Sequence, residues 1–246
     1  MKILVCISKA PDTTAKIAFT DGDTKFDENG VQFVVNPYDE WFALVRGLEL
    51  KEANGGTVTV LNVGGVDNDP IIRKALAIGA DDAIRIDAET TDALYVAKQI
   101  ANYTKDQNYD VILSGKETID YNGSQVGGMV AALIDVPYIS LASKLDMNGN
   151  TATIEREIQG GVEVIEVNTP FVLSAAKGMA EARIPNMRGI MAARSKSLSI
   201  VPACEASTSS KVKVFTLPPE KSGCRYVDAD NVEELIDLLH NEAKVI

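Results

Sequence analysis

Histidine is almost missing from this chain: His240 is the only one, in a C-terminal stretch whose Val232, Leu235, Ile236 and Leu239 recur at helical spacing. That removes the usual route to general acid–base catalysis or an imidazole metal site, and no Ser-His-Asp arrangement can be assembled. Cysteine is scarce too. Cys6, Cys204 and Cys224 have neither the short paired spacing of a zinc motif nor the pattern of a disulfide framework, which suits a reducing, cytoplasmic compartment. Positive charge is in deficit, with 24 Lys and Arg against 35 Asp and Glu and a net charge of -11. This balance excludes the broad basic face that nucleic acids or anionic membranes require. No apolar run reaches the roughly 18 residues of a membrane-spanning helix, and MKILVCI is too short for a signal peptide and is followed by Lys9, Pro11 and Asp12. The expectation is a protein with no metal, no nucleic-acid partner, no membrane insertion and no catalytic residues of its own.

What the chain does have is alternation. Its 246 residues, 46% hydrophobic, suffice for one core with appendages. ILVCI at 3–7 is followed by a helical pattern from Pro37 or Asp39 toward Glu52, and TVTVLNV at 57–63 by a helix capped at Asp69 and closed at Gly79. AIRID at 83–87 precedes a helix from Thr91 through Tyr103, and DVILSG at 110–115 precedes one starting near Ser124 or Gln125. Such βα repetition predicts an α/β, doubly wound, mostly parallel sheet with right-handed crossovers and ligand at the strand C-termini. From Leu145 the pattern becomes strands turning at 148–150 and 160–161, an antiparallel extension. Beyond Ile200 a Ser/Thr/Pro-rich arm holds a strand-like KVKVF and the terminal amphipathic helix. The expected division is therefore 1–200 and 201–246.

The segment VILSGKETIDYNGSQVGGMVAALI carries the clearest chemistry. Backbone N–H groups at Gln125, Val126 and Gly127 open a helix whose positive end can hold a phosphate, glycines at 115, 123, 127 and 128 allow close approach, and Ser124 and Gln125 add donors. An ordinary Gly-rich βα turn reads the same way, since this is neither a Walker loop nor GxGxxG. The runs Asp81-Asp82 and Asp21, Asp23, Asp27, Glu28 read as a solvated helix end and a solvated hairpin.

Residues 155–200 combine ERE-I-x-GG-x-E, N-x-P-x-V at Pro170, E-x-R at Glu181 and I-M-x-A at Ile190. In that order they resemble the signature region of the electron transfer flavoprotein β subunit. The likeness extends to AKIAF at 15–19, VNPYDE at 35–40 and IRKALAIGADDAIRID at 72–87. It implies the adenine-nucleotide α-hydrolase-like form of the fold, with a C-terminal arm that packs on an α subunit. It also implies an AMP phosphate held by G-K-x-x-I-D and Q-x-G, matched by Gly115, Lys116, Ile119, Asp120, Gln125 and Gly127, with Tyr121, Asn122, Gly123, Ser124 and Val126 in the same loop. Further adenylate contacts fall at Cys6, at Asn36, Pro37, Tyr38 and Asp39, and at Val63. The redox FAD would belong mainly to the α subunit, with Tyr38 near it and Glu157 meeting a basic residue of its mobile domain.

The same resemblance makes the region about 175–197 a recognition loop for flavoprotein dehydrogenases, with Met187 as the apolar anchor and Arg183, Ile184 and Ile190 around it; electrons then pass to a quinone reductase or similar acceptor. Met187 could instead pack on Ile190 and Met191 as local core. The chain departs from the family where N-E-P-R-Y becomes Ala180-Glu181-Ala182-Arg183-Ile184 and the lysine-rich tail thins to ARSKS. Two alternatives stand beside this reading: an electron-bifurcating form with FAD in place of AMP, and a stand-alone nucleotide-binding stress-type homodimer.

Overall fold

The computed structural model describes residues 1–89, 91–220 and 223–246. In chain order the elements are β1 (Lys2–Cys6), β2 (Lys9–Pro11), β3 (Phe19–Thr20), β4 (Lys25–Phe26), β5 (Phe33–Val35), α1 (Asp39–Asn54), β6 (Thr57–Val63), α2 (Asp69–Ile78) and β7 (Asp82–Asp87). They continue with α3 (Ala93–Thr104), β8 (Val111–Gly115), α4 (Val126–Ile134), β9 (Tyr138–Asn148), β10 (Thr151–Ile158), β11 (Gly161–Asn168), β12 (Phe171–Ala175), α5 (Met187–Ala193), β13 (Leu198–Pro202) and α6 (Val232–Asp237).

Nine strands form one sheet in the order β11-β10-β9-β12-β8-β1-β6-β7-β13. From β9 to β13 every pairing is parallel, and β10 and β11 add antiparallel strands at one edge. The expected doubly wound α/β sheet with an antiparallel extension is thus present. Its layering follows from period-two alternation in apolar strands. Ile3 and Val5 of β1 pack with Val58, Val60 and Leu113 against Leu44, Leu48, Ile72 and Leu76 of α1 and α2. Leu4, Cys6, Leu61, Ile112 and Val172 face the other way, onto Ala97, Ile100 and Val130 of α3 and α4. Truncating a fully enclosed side chain such as Leu44 or Leu113 costs about 2–5 kcal/mol.

Two helix starts differ from the sequence expectation by a residue or two. Asn68, not Asp69, is the N-cap of α2, and α3 is capped by Asp92, whose side chain accepts from the Tyr95 N–H at 3.0 Å. Asp92 does more than cap. Its Oδ2 also accepts from the Ser210 N–H at 2.6 Å and from Ser209, and the Tyr95 bond first, with those from Ser210 and Ser209, holds its carboxyl well below the usual range. Gln99, about two turns further along α3, donates to the Cys204 carbonyl at 2.9 Å and accepts from the Cys204 N–H at 2.7 Å. Together they strap the chain after β13 onto α3. This strap belongs to the compact unit Met1–Val214.

KVKVF at 211–215 is not a strand: alternation alone does not form one without a neighbouring strand to accept its ladder. The second unit, Phe215–Ile246, carries α6, capped by Asn231 and continued by a π turn over Leu238–Glu242. Within that unit Val232, Leu235 and Ile236 are exposed.

Gln99→Ala removes both bonds to Cys204 and leaves partly buried backbone groups unpaired, so stability should drop by about 1–3 kcal/mol. Hydrogen exchange at the Cys204 amide should accelerate while that of β1 and β8 does not; unchanged exchange at Cys204 rules out the strap.

Candidate functional site

β8, β1 and β6 are neighbours, and they end at Gly115, Cys6 and Val63 on one edge of the sheet. The turn before α1 and the loop after β8 lie over that edge. Asn36 is fully buried, and its carboxamide joins the two: Nδ2 donates to the Glu117 carbonyl and Oδ1 accepts from the Ile119 N–H, both at 3.0 Å. Asn36 therefore positions the loop rather than presenting a free group. Gly115 meets the first turn of α1 so closely that a Cβ would lie 2.7 Å from Glu40 Cγ and 2.9 Å from its backbone nitrogen. No side chain fits there.

Three non-glycine residues of this edge have left-handed φ: Tyr38 at 64°, Asn122 at 47° and Ser124 at 50°. Strain of that kind persists only where neighbours over-determine the backbone, and it gathers at functional loops. Here the loop is cross-braced, with the Asn122 N–H donating to the Thr118 carbonyl at 2.9 Å, the Tyr121 N–H to Asp120 Oδ1 at 3.0 Å and Ser124 Oγ to Glu117 Oε2 at 3.2 Å. Lys116 is tied to the Ala175 carbonyl through its N–H at 2.9 Å and pairs with Glu117 at 3.2 Å. Pro37 is half-buried, whereas Tyr38 and Tyr121 expose more than half their surface.

α4 starts just beyond Gln125. Its Gly127 lies so near the sheet that a Cβ would be 2.7 Å from Ser114 Oγ and 3.2 Å from the Tyr138 ring. Glycine there lets the helix N-terminus sit low over the strand ends. The first-turn N–H groups of Val126, Gly127 and Gly128 have no partner within the helix by its geometry, and open space surrounds the Cβ position of Gly123. Such an end can hold a phosphate.

Sequence reasoning overlooked the floor of this crevice. Ser8 binds both carboxyl oxygens of Glu40, through its N–H at 2.6 Å and Oγ at 2.7 Å, and Asn62 donates to the Ile7 carbonyl at 2.8 Å while accepting from Asn68 at 2.8 Å. Asn62 was visible as a carboxamide among the apolar and threonine residues of TVTVLNV; Glu40 was not, because a carboxylate in the first turn of a helix normally faces water. Burial pushes Glu40 up to about 8 against the opposing Ser8 bonds. The Cys6 thiol rises to about 12 through burial and the nearby Glu40, and Asp39 rises to about 6 through burial, with Lys116 opposing. At neutral pH Glu40 therefore holds its proton, and the crevice presents less negative charge to a phosphate than its carboxylates suggest.

Elsewhere, residues 183–196 form a second site on α1 and α2. Arg183 pairs bidentately with Glu52, at 2.7 and 2.9 Å, and its carbonyl accepts from Trp41 Nε1 at 3.2 Å. Its guanidinium thus anchors the segment. A Cβ on Gly189 would lie 2.2 Å from the Ala77 carbonyl oxygen, Arg73 donates to the carbonyls of Ala193 and Lys196 at 2.9 and 2.7 Å, and Lys196 donates to that of Leu76 at 2.9 Å. Above this base Ile184 is 88% exposed, Met187 74% and Ile190 40%. Met187 is accordingly not local core. Glu157 is exposed at the end of β10, beside exposed Ile158 and Val162, and belongs to neither group.

A family model described as the electron transfer flavoprotein domain matches residues 23–206. The chain belongs to the electron transfer flavoprotein β-subunit family. It is 35% identical over 260 residues to an electron transfer flavoprotein subunit beta of Bacillus subtilis, covering all of both chains. It is likewise 35% identical over 250 residues to that of Syntrophomonas wolfei, covering 100% of this chain and 98% of that one. To the mitochondrial subunit beta of Arabidopsis thaliana it is 34% identical over 255 residues, again across both chains. Members of this family are electron-transfer proteins that work in a flavoprotein complex, and a β subunit implies an α-subunit partner. Among the described residues no helix is long and apolar enough to cross a membrane.

Two expectations follow for the electron-transfer subunit. Glu40, raised from 4.5 to about 8, keeps in the folded state a proton that the unfolded chain releases, so its contribution is fully present below about 4.5 and lost as pH rises through about 8. Glu40→Gln should flatten the decline of the thermal midpoint over that window; parallel curves for both proteins would show that Glu40 is ionised. Gly115→Ala should destabilise by about 1–3 kcal/mol through overpacking against Glu40, measured by urea unfolding, and a neutral effect would mean that α1 yields readily.

Proposed function

We propose that this β subunit binds AMP at the ends of β8, β1 and β6, supports the FAD domain of the α subunit, and docks flavoprotein dehydrogenases through the segment around Met187. Electrons then pass onward to a quinone reductase or similar acceptor. The observation that carries the nucleotide reading is convergence: four segments far apart in sequence, at Cys6, 36–39, Val63 and 115–127, come together at the C-terminal ends of the neighbouring strands β8, β1 and β6, and α4 begins beside β8. On this reading Val126 and Gly127 offer backbone N–H groups to the phosphate, with Ser124 and Gln125 as side-chain donors, while Asn36 and Gly115 hold the two loops in register. Lys116, Ile119 and Asp120 frame the loop. The AMP would be structural, filling the crevice without undergoing chemistry.

FAD, when bound to the α subunit, supplies the one- and two-electron chemistry that this chain lacks. Tyr38, exposed beside the crevice, and Glu157, exposed on the antiparallel extension, are the residues assigned to that subunit's flavin domain. Ile184, Met187 and Ile190 form the apolar face offered to donor dehydrogenases, and burying Met187 in a partner pocket would contribute about 1.5–3 kcal/mol. A stand-alone stress-type domain would use the phosphate loop but leave the segments after α4 without a role, whereas the relatives align over the whole chain.

The two roles separate by mutation. In the complex with the α subunit, Met187→Ala should slow flavin reduction by a donor dehydrogenase roughly tenfold and leave nucleotide content unchanged, while Gln125→Ala should weaken AMP retention and spare reduction. Chromatography of nucleotides released from the complex reads the ligand directly: one AMP with one FAD supports the assignment, and two FAD with no AMP replaces it with the bifurcating form.

A further inference from the structure

The six methionines fall into two groups. Met179 is buried, and Met1, Met129 and Met147 pack against the two cores. Met187 and Met191 belong to neither core and are 74% and 60% exposed. They stand four residues apart on α5, so their thioethers share one face, with Ile184 and Ile190 beside them. The backbone beneath that face is fixed: Gly189 abuts the Ala77 carbonyl, Asn186 caps the helix at 2.8 Å, and Arg73 holds the carbonyl of Ala193 at 2.9 Å.

We propose that Met187 and Met191 form a reversible oxidation site, at which a hydroperoxide converts the exposed thioethers to sulfoxides and switches the α5 docking face off. The sulfur lone pair attacks one peroxide oxygen. An S–O bond forms as the O–O bond breaks, sulfur loses two electrons, and the departing oxygen (alkoxide or, from hydrogen peroxide, hydroxide) takes the proton of the new S–OH group to leave as alcohol or water. The sulfoxide replaces a flexible apolar side chain with a polar one, and sulfoxide reductases reverse the change, one enzyme for each epimer. Because neither sulfur contributes to a core, the modification alters the surface without loosening the fold. The pattern is selective for the same reason, since the other four sulfurs are packed against protein.

The consequence for docking rests on the proposed role of Met187, but the oxidation chemistry does not. The experiment treats the complex of this chain with its α subunit with limiting hydrogen peroxide, maps oxygen addition by peptide mass spectrometry, and follows flavin reduction by a donor dehydrogenase. Oxygen should appear first at Met187 and Met191, and the rate should fall roughly tenfold, the effect of burying a polar group in an apolar contact. Nucleotide content should stay constant, and the two sulfoxide reductases should restore the rate. A variant carrying Met187→Leu and Met191→Leu, whatever its own starting rate, should be insensitive to peroxide. Oxygen appearing first at Met1, Met129, Met147 or Met179, or an equal loss in the double variant, overturns the proposal. If Met187→Ala slows reduction but double sulfoxide formation does not, this inference fails alone; if neither slows it, the docking role fails with it.

Discussion

β8 ends against the first turn of α1 with no room for a side chain between them. That contact, Gly115 on the backbone and Cγ of Glu40, sets where α1 begins and therefore where the turn before it must run. The turn then places Asn36 under the 117–119 backbone, and the loop so held delivers the chain to α4, whose own entry relies on the closeness of Gly127 to Ser114 and Tyr138. Each step leaves a polar group buried and pairs it at once, as the low dielectric of the interior demands. Glu40 is the exception in degree: Ser8 satisfies both its oxygens, yet burial outweighs those bonds and keeps the carboxyl protonated near neutrality. A crevice built this way combines two tight glycine contacts with a floor that adds little charge.

The sheet was largely legible because parallel strands buried on both faces are rich in apolar and β-branched residues, and TVTVLNV marks β6 from Thr57 to Val63 without adjustment. The hairpin at Phe19–Thr20 and Lys25–Phe26 also matches the acidic turn read from Asp21 and Asp23. KVKVF was misleading since its alternation is a local property, whereas a strand is made by its neighbour. The helix starts at Asn68 and Asp92 shifted because several Asx and Thr residues compete for one capping position. Least legible were pairings across long separations: Asp92 with Ser209 and Ser210, Gln99 with Cys204, and Arg183 with Glu52 involve ordinary surface-type residues whose partners lie more than a hundred positions away. The family likeness located Arg183 but could not reveal what holds its guanidinium.

The two candidate regions obey different rules. At the crevice Asn36, Glu40 and Asn62 face inward and are each committed to another part of the protein, whereas Tyr38, Tyr121, Ser124 and Gln125 are exposed. At α5 the committed residues, Arg183, Gly189 and Lys196, lie beneath, and the residues above them make few demands on the fold. The absence of proline at Ala182 costs the segment backbone rigidity, and the Arg183–Glu52 pair with the Trp41 bond supplies a substitute restraint from α1.

Gly189 also limits which substitutions the segment can accept. With a Cβ position only 2.2 Å from a carbonyl oxygen, it is closed even to alanine unless α5 lifts away from α2. Ile184, Met187 and Met191, one layer further out, are exposed and bear on no core. If α5 is the docking face, as proposed, substitutions in this outer layer change what it recognises while the layer beneath keeps the backbone in place.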